Sequence, residues 1–300
     1  MLSLHTNSAA LSAQNSISRT QSALSTSQTR LSTGFRVNSA MDDAAGLQIA
    51  TRLKAQTSGM TMAMRNTQNS ISLLQTGEGA LDETTTILTR MKDLATQAAD
   101  ASATNDDRTA MQAEYSALTN ELSNITNNTS FGGTKLFAGA ADGGSTLMNT
   151  TLTFQIGASA DEKMTVNLST AVTAVTDKIT AATTGYTFDG TTAGTADGST
   201  DANVTTATAA NGNITTLTDA INAVGSLRSQ LGAVANRLDH VYNNLSNVST
   251  NTQAATGRIM DTDFAAESSN MTSSQMLLQA GTAMLKQSNS TSSLVMSLLQ

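Results

Sequence analysis

Few side chains in this 300-residue chain are equipped for chemistry. There is no Cys, which removes thiol nucleophiles, disulfides and thiolate metal sites. The two histidines, His5 and His240, fall in different predicted helices with no acidic ligand at metal spacing, so solvent-facing or capping roles fit them better than a metal site or a catalytic pair. Asp42 and Asp43 have the form of a carboxylate pair for acid/base work. Their place between two long helical patterns, beside Arg36, Asn38 and Ser39, points instead to capping the second helix or to bonding a connector. "GEG" at 77–79 lies inside a heptad pattern with no Gly-Lys-Ser or Gly-Lys-Thr after it, so it reads as close helix packing or a slight kink. The acids of "DGTTAGTADGSTD" (189–201) lack the alternating ligands and closing bidentate Glu of a tuned calcium loop. Nowhere do a nucleophile, a base and an orienting group converge, so the chain reads as non-enzymatic, with no cofactor.

Composition narrows the partners. A net charge of −7 argues against nucleic acid and anionic membrane surfaces. No stretch approaches the roughly 20 apolar residues of a membrane span, so no membrane insertion is expected. "MLSLHTNSAA" lacks the basic and apolar segments of a secretory signal. The chain also has no proline, which lets helices run long without stops.

Three periodic segments must position whatever function exists. Leu231, Val234, Leu238, Val241, Leu245, Val248, Thr252 and Ala255 alternate in threes and fours, the spacing of a coiled-coil seam. Leu217, Ile221, Val224 and Leu227 extend it upstream with one extra step of three. Leu53, Met60, Thr67, Leu74, Leu81, Leu88 and Ala95 recur every seven residues and predict a second long helix over about 45–100. Met111, Tyr115, Leu118, Leu122 and Ile125 then form a third apolar face behind a Thr104/Asp107 cap. The fold class that follows is mainly α: a long coiled-coil helical bundle formed by the N- and C-terminal halves.

Between them the period changes. "TLTFQIG" (151–157) and "KMTVNLS" (163–169) alternate apolar and polar residues and predict a small β-hairpin with one buried face. The Gly, Thr, Ala and Asp of 183–212 offer little to bury and predict an exposed loop or very small lobe. With the preceding residues, 170–212 is expected to be a short variable surface insert.

Both ends carry weaker heptads. Ala10, Ile17, Leu24 and Leu31 are seven apart in the first and Phe264, Met271, Leu278, Leu285 and Leu299 keep that interval in the last, with Leu277, Met284 and Leu298 in a neighbouring row; Leu4, Leu11 and Leu294 join them as expected filament-interface residues. Apolar ends rich in Ser, Thr and Asn, which are mediocre helix formers, predict segments that are largely disordered in an isolated chain and gain helix against other copies. A head-to-tail contact that does not close would then build an open helical filament.

Four runs resemble bacterial flagellin: "LSTGFRVNSAMDDAAGLQIATRL" (31–53), "LRSQLGAVANRLDHVYNNL" (227–245), "GRIMDTDFAAE" (257–267) and the closing "LVMSLLQ". The resemblance covers roughly 1–140 and 213–300. It implies an inner layer of paired terminal helices, 1–44 plus 256–300, a helical bundle with the hairpin, 45–169 plus 213–255, and the insert outermost. It implies a self-assembling homopolymer for swimming motility, secreted through the flagellum's own channel, with a flagellar cap, junction proteins and an export chaperone as partners. It also implies recognition of the monomer by an animal Toll-like receptor, carried over to Arg90, Leu94 and Glu114; Thr89, Lys92 and Asp93 depart from the family pattern there. Some flagellins carry a zinc peptidase in the insert, but this insert has no His to form one. Two alternatives stand beside this expectation: a hook–filament junction protein, disfavoured by the missing proline, and a cytoplasmic coiled-coil signalling module, which explains neither hairpin nor apolar tail.

Overall fold

A computed structural model describes residues 7–137, 151–183 and 203–298. In chain order the elements are helices α1 (Ser8–Thr33), α2 (Ala44–Ala99) and α3 (Asn105–Asn128), strands β1 (Ser130–Phe131), β2 (Thr134–Lys135), β3 (Leu152–Gln155) and β4 (Lys163–Val166), then helices α4 (Ser169–Ala182), α5 (Ala207–Met260) and α6 (Phe264–Leu298). The chain divides into two compact units, 1–57 with 249–300, and 58–248.

In the first unit α1 and α6 run antiparallel. Asn7 caps α1 by accepting from the Ala10 N–H at 3.1 Å, and its Nδ2 donates to the Ser288 carbonyl at 3.3 Å. At the far end the Thr262 N–H donates to Gly34 O at 3.0 Å and the Arg36 N–H to Met260 O at 2.6 Å, around a bridge between Phe35 and Asp261. Both ends are thus helical within one chain, where composition predicts disorder: side-chain bonds from each helix reach the other and satisfy groups that neither could satisfy alone.

The second unit is built on one core. Leu74, Leu81, Leu88 and Met91 of α2 meet Tyr115 and Leu122 of α3 and Leu217, Val224, Leu227 and Leu231 of α5. The heptad positions are buried here because the three apolar stripes have one another to face. Thr104 and Asp107 form the expected capping box at the start of α3, each accepting from the other's backbone N–H. The predicted hairpin is present, with Leu152 paired to Val166 and Phe154 to Met164, all four buried against the helices.

Two features depart from expectation. "SFGGTK" makes a second hairpin, β1–β2, whose turn residues Gly132 and Gly133 have φ of 60° and 84°, the left-handed pair that a two-residue hairpin turn requires. The run 169–182, most of it assigned by composition to the surface insert, is helix α4, with Val172, Val175, Ile179 and Ala182 buried in the core. Its apolar residues recur at threes and fours over only 14 residues, which is too short to stand out from the Thr and Ala around it. Residues 184–202, the heart of the expected insert, lie outside the described residues.

Candidate functional site

Two surfaces carry the residues singled out from the sequence. The first is the α1–α6 pair. Ile17, Leu24 and Leu31 on α1 and Met271, Leu278 and Leu285 on α6 are half-buried. A Cβ placed on Gly281 would lie 2.9 Å from Ile17 Cγ1, so these helices touch almost backbone to side chain. Polar groups fix the register. Glu267, 8% exposed, accepts from the Ser27 hydroxyl at 2.5 Å and lies 3.7 Å from the Arg30 guanidinium. Asp263 caps α6 by accepting from the N–H groups of Ala265 and Ala266.

The other faces of this pair remain open. Leu11, Phe264, Met276, Leu277 and Met284 are all more than half exposed. The expected interface residues thus divide: Ile17, Leu24, Leu31, Met271, Leu278 and Leu285 are half-buried between the two helices, whereas Leu11, Phe264, Leu277 and Met284 face outward. Leu294 and Leu298 lie on α6, and Leu4, Leu299 and His5 fall outside the described residues. The Ser27–Arg30–Glu267 cluster was not anticipated. Its signal is in the sequence, since Glu267 stands between Phe264 and Met271 at a seam position where an acid needs a partner.

The connector between α1 and α2 behaves as expected of its carboxylates. Asp42 Oδ2 accepts from the N–H groups of Asn38 and Ser39 at 3.0 and 2.9 Å and from the Ser39 hydroxyl at 3.2 Å. Those donors, the Ser39 N–H first, hold its carboxyl below the usual value. Asp43 caps α2 by accepting from the Gly46 N–H at 2.8 Å.

The second surface lies on α2 and α3. Arg90 donates from Nε to Glu114 Oε1 at 2.8 Å, with Nη2 at 2.6 Å, and both side chains are about half exposed. Leu94 is different: it is 2% exposed and belongs to the core. It stands one turn beyond Arg90, on the stripe that faces α3 and α5, so packing is the role the structure gives it. Glu78 and Asp82 take ion pairs from Arg228 on α5, at 3.8 and 2.8 Å. Within the glycine pair, Gly77 is buried, whereas Gly79 is exposed and a Cβ there would meet nothing within 4 Å.

Family models for the bacterial flagellin N-terminal helical region and C-terminal helical region match residues 4–142 and 214–299. The chain belongs to the bacterial flagellin family. It is 39% identical to a flagellin of Bacillus subtilis and 34% identical to flagellin A of Vibrio anguillarum, over 98% and 100% of both partners in each comparison. A Vibrio parahaemolyticus structure described as that of a flagellar hook-associated protein shares the fold, with a TM-score of 0.55 and 17% identity over 73% of this chain and 100% of its own. Flagellins are structural proteins of the flagellar filament, which is exported and extracellular, and the chain is therefore a filament subunit and not an enzyme. The junction-protein and signalling alternatives are not favoured, because the relatives matching along the whole chain are flagellins.

Proposed function

We propose that this flagellin assembles with copies of itself into the helical filament of a swimming bacterium, through the outward faces of α1 and α6. The observation that carries this reading is the apolar surface left on an already paired helix hairpin. Leu11, Met276, Leu277 and Met284 lie on exposed positions of two helices that have satisfied each other's seam. Exposed apolar patches of this kind mark interaction sites, and a contact between unlike faces of identical chains propagates without closing. The terminal pair, 1–44 with 256–300, would form the inner layer. The bundle and hairpin would lie outside it, with α4 now counted in the bundle and the surface insert restricted to the residues after it. Export unfolded, with chaperone, cap and junction proteins as partners, belongs to the same reading.

Electron microscopy of the salted-out or seeded chain, beside a variant lacking 287–300, tests it. Filaments from the full chain and none from the truncation are expected. A full chain that stays folded and monomeric would overturn the filament reading, and filaments from both would overturn the role of the tail.

Recognition of the monomer by a Toll-like receptor is a second reading, favoured by the exposed Arg90–Glu114 pair on one α2–α3 face. Leu94 supports that face from beneath it. A receptor reporter assay with monomer is expected to respond, and to lose response in Arg90→Ala. Silence at high dose would reject the reading.

A further inference from the structure

The chain has 14 Met, no Cys and no Trp, so the thioether is its most readily oxidised side chain. The fold sorts these sulfurs by access. Met60, Met91 and Met164 are buried, whereas Met41, Met62, Met276 and Met284 are more than half exposed. Two of the exposed four lie on α6, on the side that α1 leaves uncovered. Met284 stands seven residues from Leu277, about two helical turns, so the two share one stripe, and Met276 is the chain neighbour of Leu277. Residues 268–285 include no charged side chain. A contact on this stripe therefore draws its strength from apolar burial and not from ion pairs.

A peroxide converts such a thioether to a sulfoxide. The sulfur lone pair attacks one peroxide oxygen and the O–O bond breaks. The departing hydroxide takes the proton from the sulfur-bound oxygen and leaves as water, so the sulfur loses two electrons and the peroxide gains them. A flexible apolar side chain becomes a polar one, and its S–O group must shed water before it can enter an apolar contact. Leu277, between the two methionines, offers no such chemistry.

We propose that Met276 and Met284 are modification sites for peroxides, and that their sulfoxides, formed on the free subunit, stop the open face of α6 from packing against other copies. The inference rests on the filament reading and adds to it a chemical control on one face. Assembly works in the opposite direction: a contact that covers the stripe also shields its two sulfurs. The population open to oxidation is then the unassembled chain, and reduction of the sulfoxides returns it to competence.

Hydrogen peroxide on the full chain is the test. Monomer is treated over a series of doses, residual peroxide is removed, each sulfoxide is placed by peptide mass spectrometry, and seeded elongation is followed by light scattering. Elongation is expected to fall about tenfold or more once both sites are oxidised, and to recover after treatment with the two methionine sulfoxide reductases. Met276→Leu with Met284→Leu keeps the apolar volume and cannot form either sulfoxide. At the same dose, with Met41, Met62 and Met271 still open to oxidation, this variant is expected to elongate at its untreated rate. Preformed filaments are expected to gain oxygen at 276 and 284 more slowly than monomer. Undiminished elongation of doubly oxidised chain, an equal loss in the Leu variant, or equal oxidation of filament and monomer would overturn the inference while leaving filament formation intact. An untreated chain that never elongates would overturn the filament reading and this inference with it.

Discussion

The carboxylate of Glu267 on α6 accepts a 2.5 Å hydrogen bond from the Ser27 hydroxyl on α1, with both residues more than nine-tenths buried. A buried acid is tolerated in an apolar seam only with a partner, and here Arg30 supplies a second one at 3.7 Å. The pair therefore sets which residues of the two helices lie opposite each other.

Removing the acceptor should loosen that register. Glu267→Ala strands Ser27 and Arg30 in the seam, at a cost of about 1–3 kcal/mol for unsatisfied buried groups. Filaments of this variant are expected to melt at lower temperature than wild type by scanning calorimetry. Glu267→Gln, which keeps an acceptor for Ser27, should fall between them; equal melting of all three would show that the seam is set elsewhere.

Gly281 tests the close approach of the same helices. Replacing it with Ala brings about 1 kcal/mol of helix propensity but places a methyl 2.9 Å from Ile17 Cγ1. The clash is expected to win, lowering filament stability, and Ile17→Ala in the same chain should restore it. A more stable Gly281→Ala filament would mean that α1 and α6 have room to separate.

Lowering the pH should release the connector. The folded pKa of Asp42 lies below its ordinary 3.8, so its bonds add stability above that value and lose it as pH falls through the lower folded value. Asp42→Ala is expected to remove this acid-sensitive step and to open the Arg36 peptide bond to trypsin at neutral pH. Unchanged cleavage in the variant would count against a connector held by this carboxylate.

In the bundle, Tyr115 is fully buried and donates its hydroxyl proton to Ala182 O at 2.7 Å while accepting from Asn213 Nδ2 at 2.8 Å. It ties α3 to both α4 and α5. Tyr115→Phe keeps the ring and leaves two buried groups unpaired, so urea unfolding is expected to show a loss of about 1–3 kcal/mol. A change near zero would mean that the two groups find other partners.

Amide exchange should separate the two units. In dilute monomer, α1 and α6 are expected to exchange faster than α2, α3 and the part of α5 before Val248, because their facing apolar residues are only half-buried and Leu11, Met276, Leu277 and Met284 are exposed. In filaments that difference should shrink. Equal, strong protection in the monomer would show that the α1–α6 pair needs no neighbours.

Much of this was legible in the sequence because it is periodic or local. Seven-residue spacing places Leu74, Leu81 and Leu88 in one stripe whatever they pack against, alternation puts Leu152 and Phe154 on one face of a strand, and Thr104 with Asp107 is a cap by spacing alone. Which apolar residues meet within the chain and which remain outside depends on contacts between distant segments. Ile17 is covered because Gly281 lets α6 approach, whereas Leu277 carries the same side-chain chemistry as Leu278 and is left exposed one helical step away. Leu94 flanks the heptad row of α2, a spacing that suits the core as well as a receptor-facing surface, and it is buried because α3 and α5 close over it. Helix α4 belongs to the core for the same reason: its few apolar residues gain meaning only from the surfaces they complete. The sequence by itself determined the helices, the hairpin and the family; tertiary structure decided the division of apolar surface into seam, core and open face, because burial is a property of pairs of segments brought together by the fold.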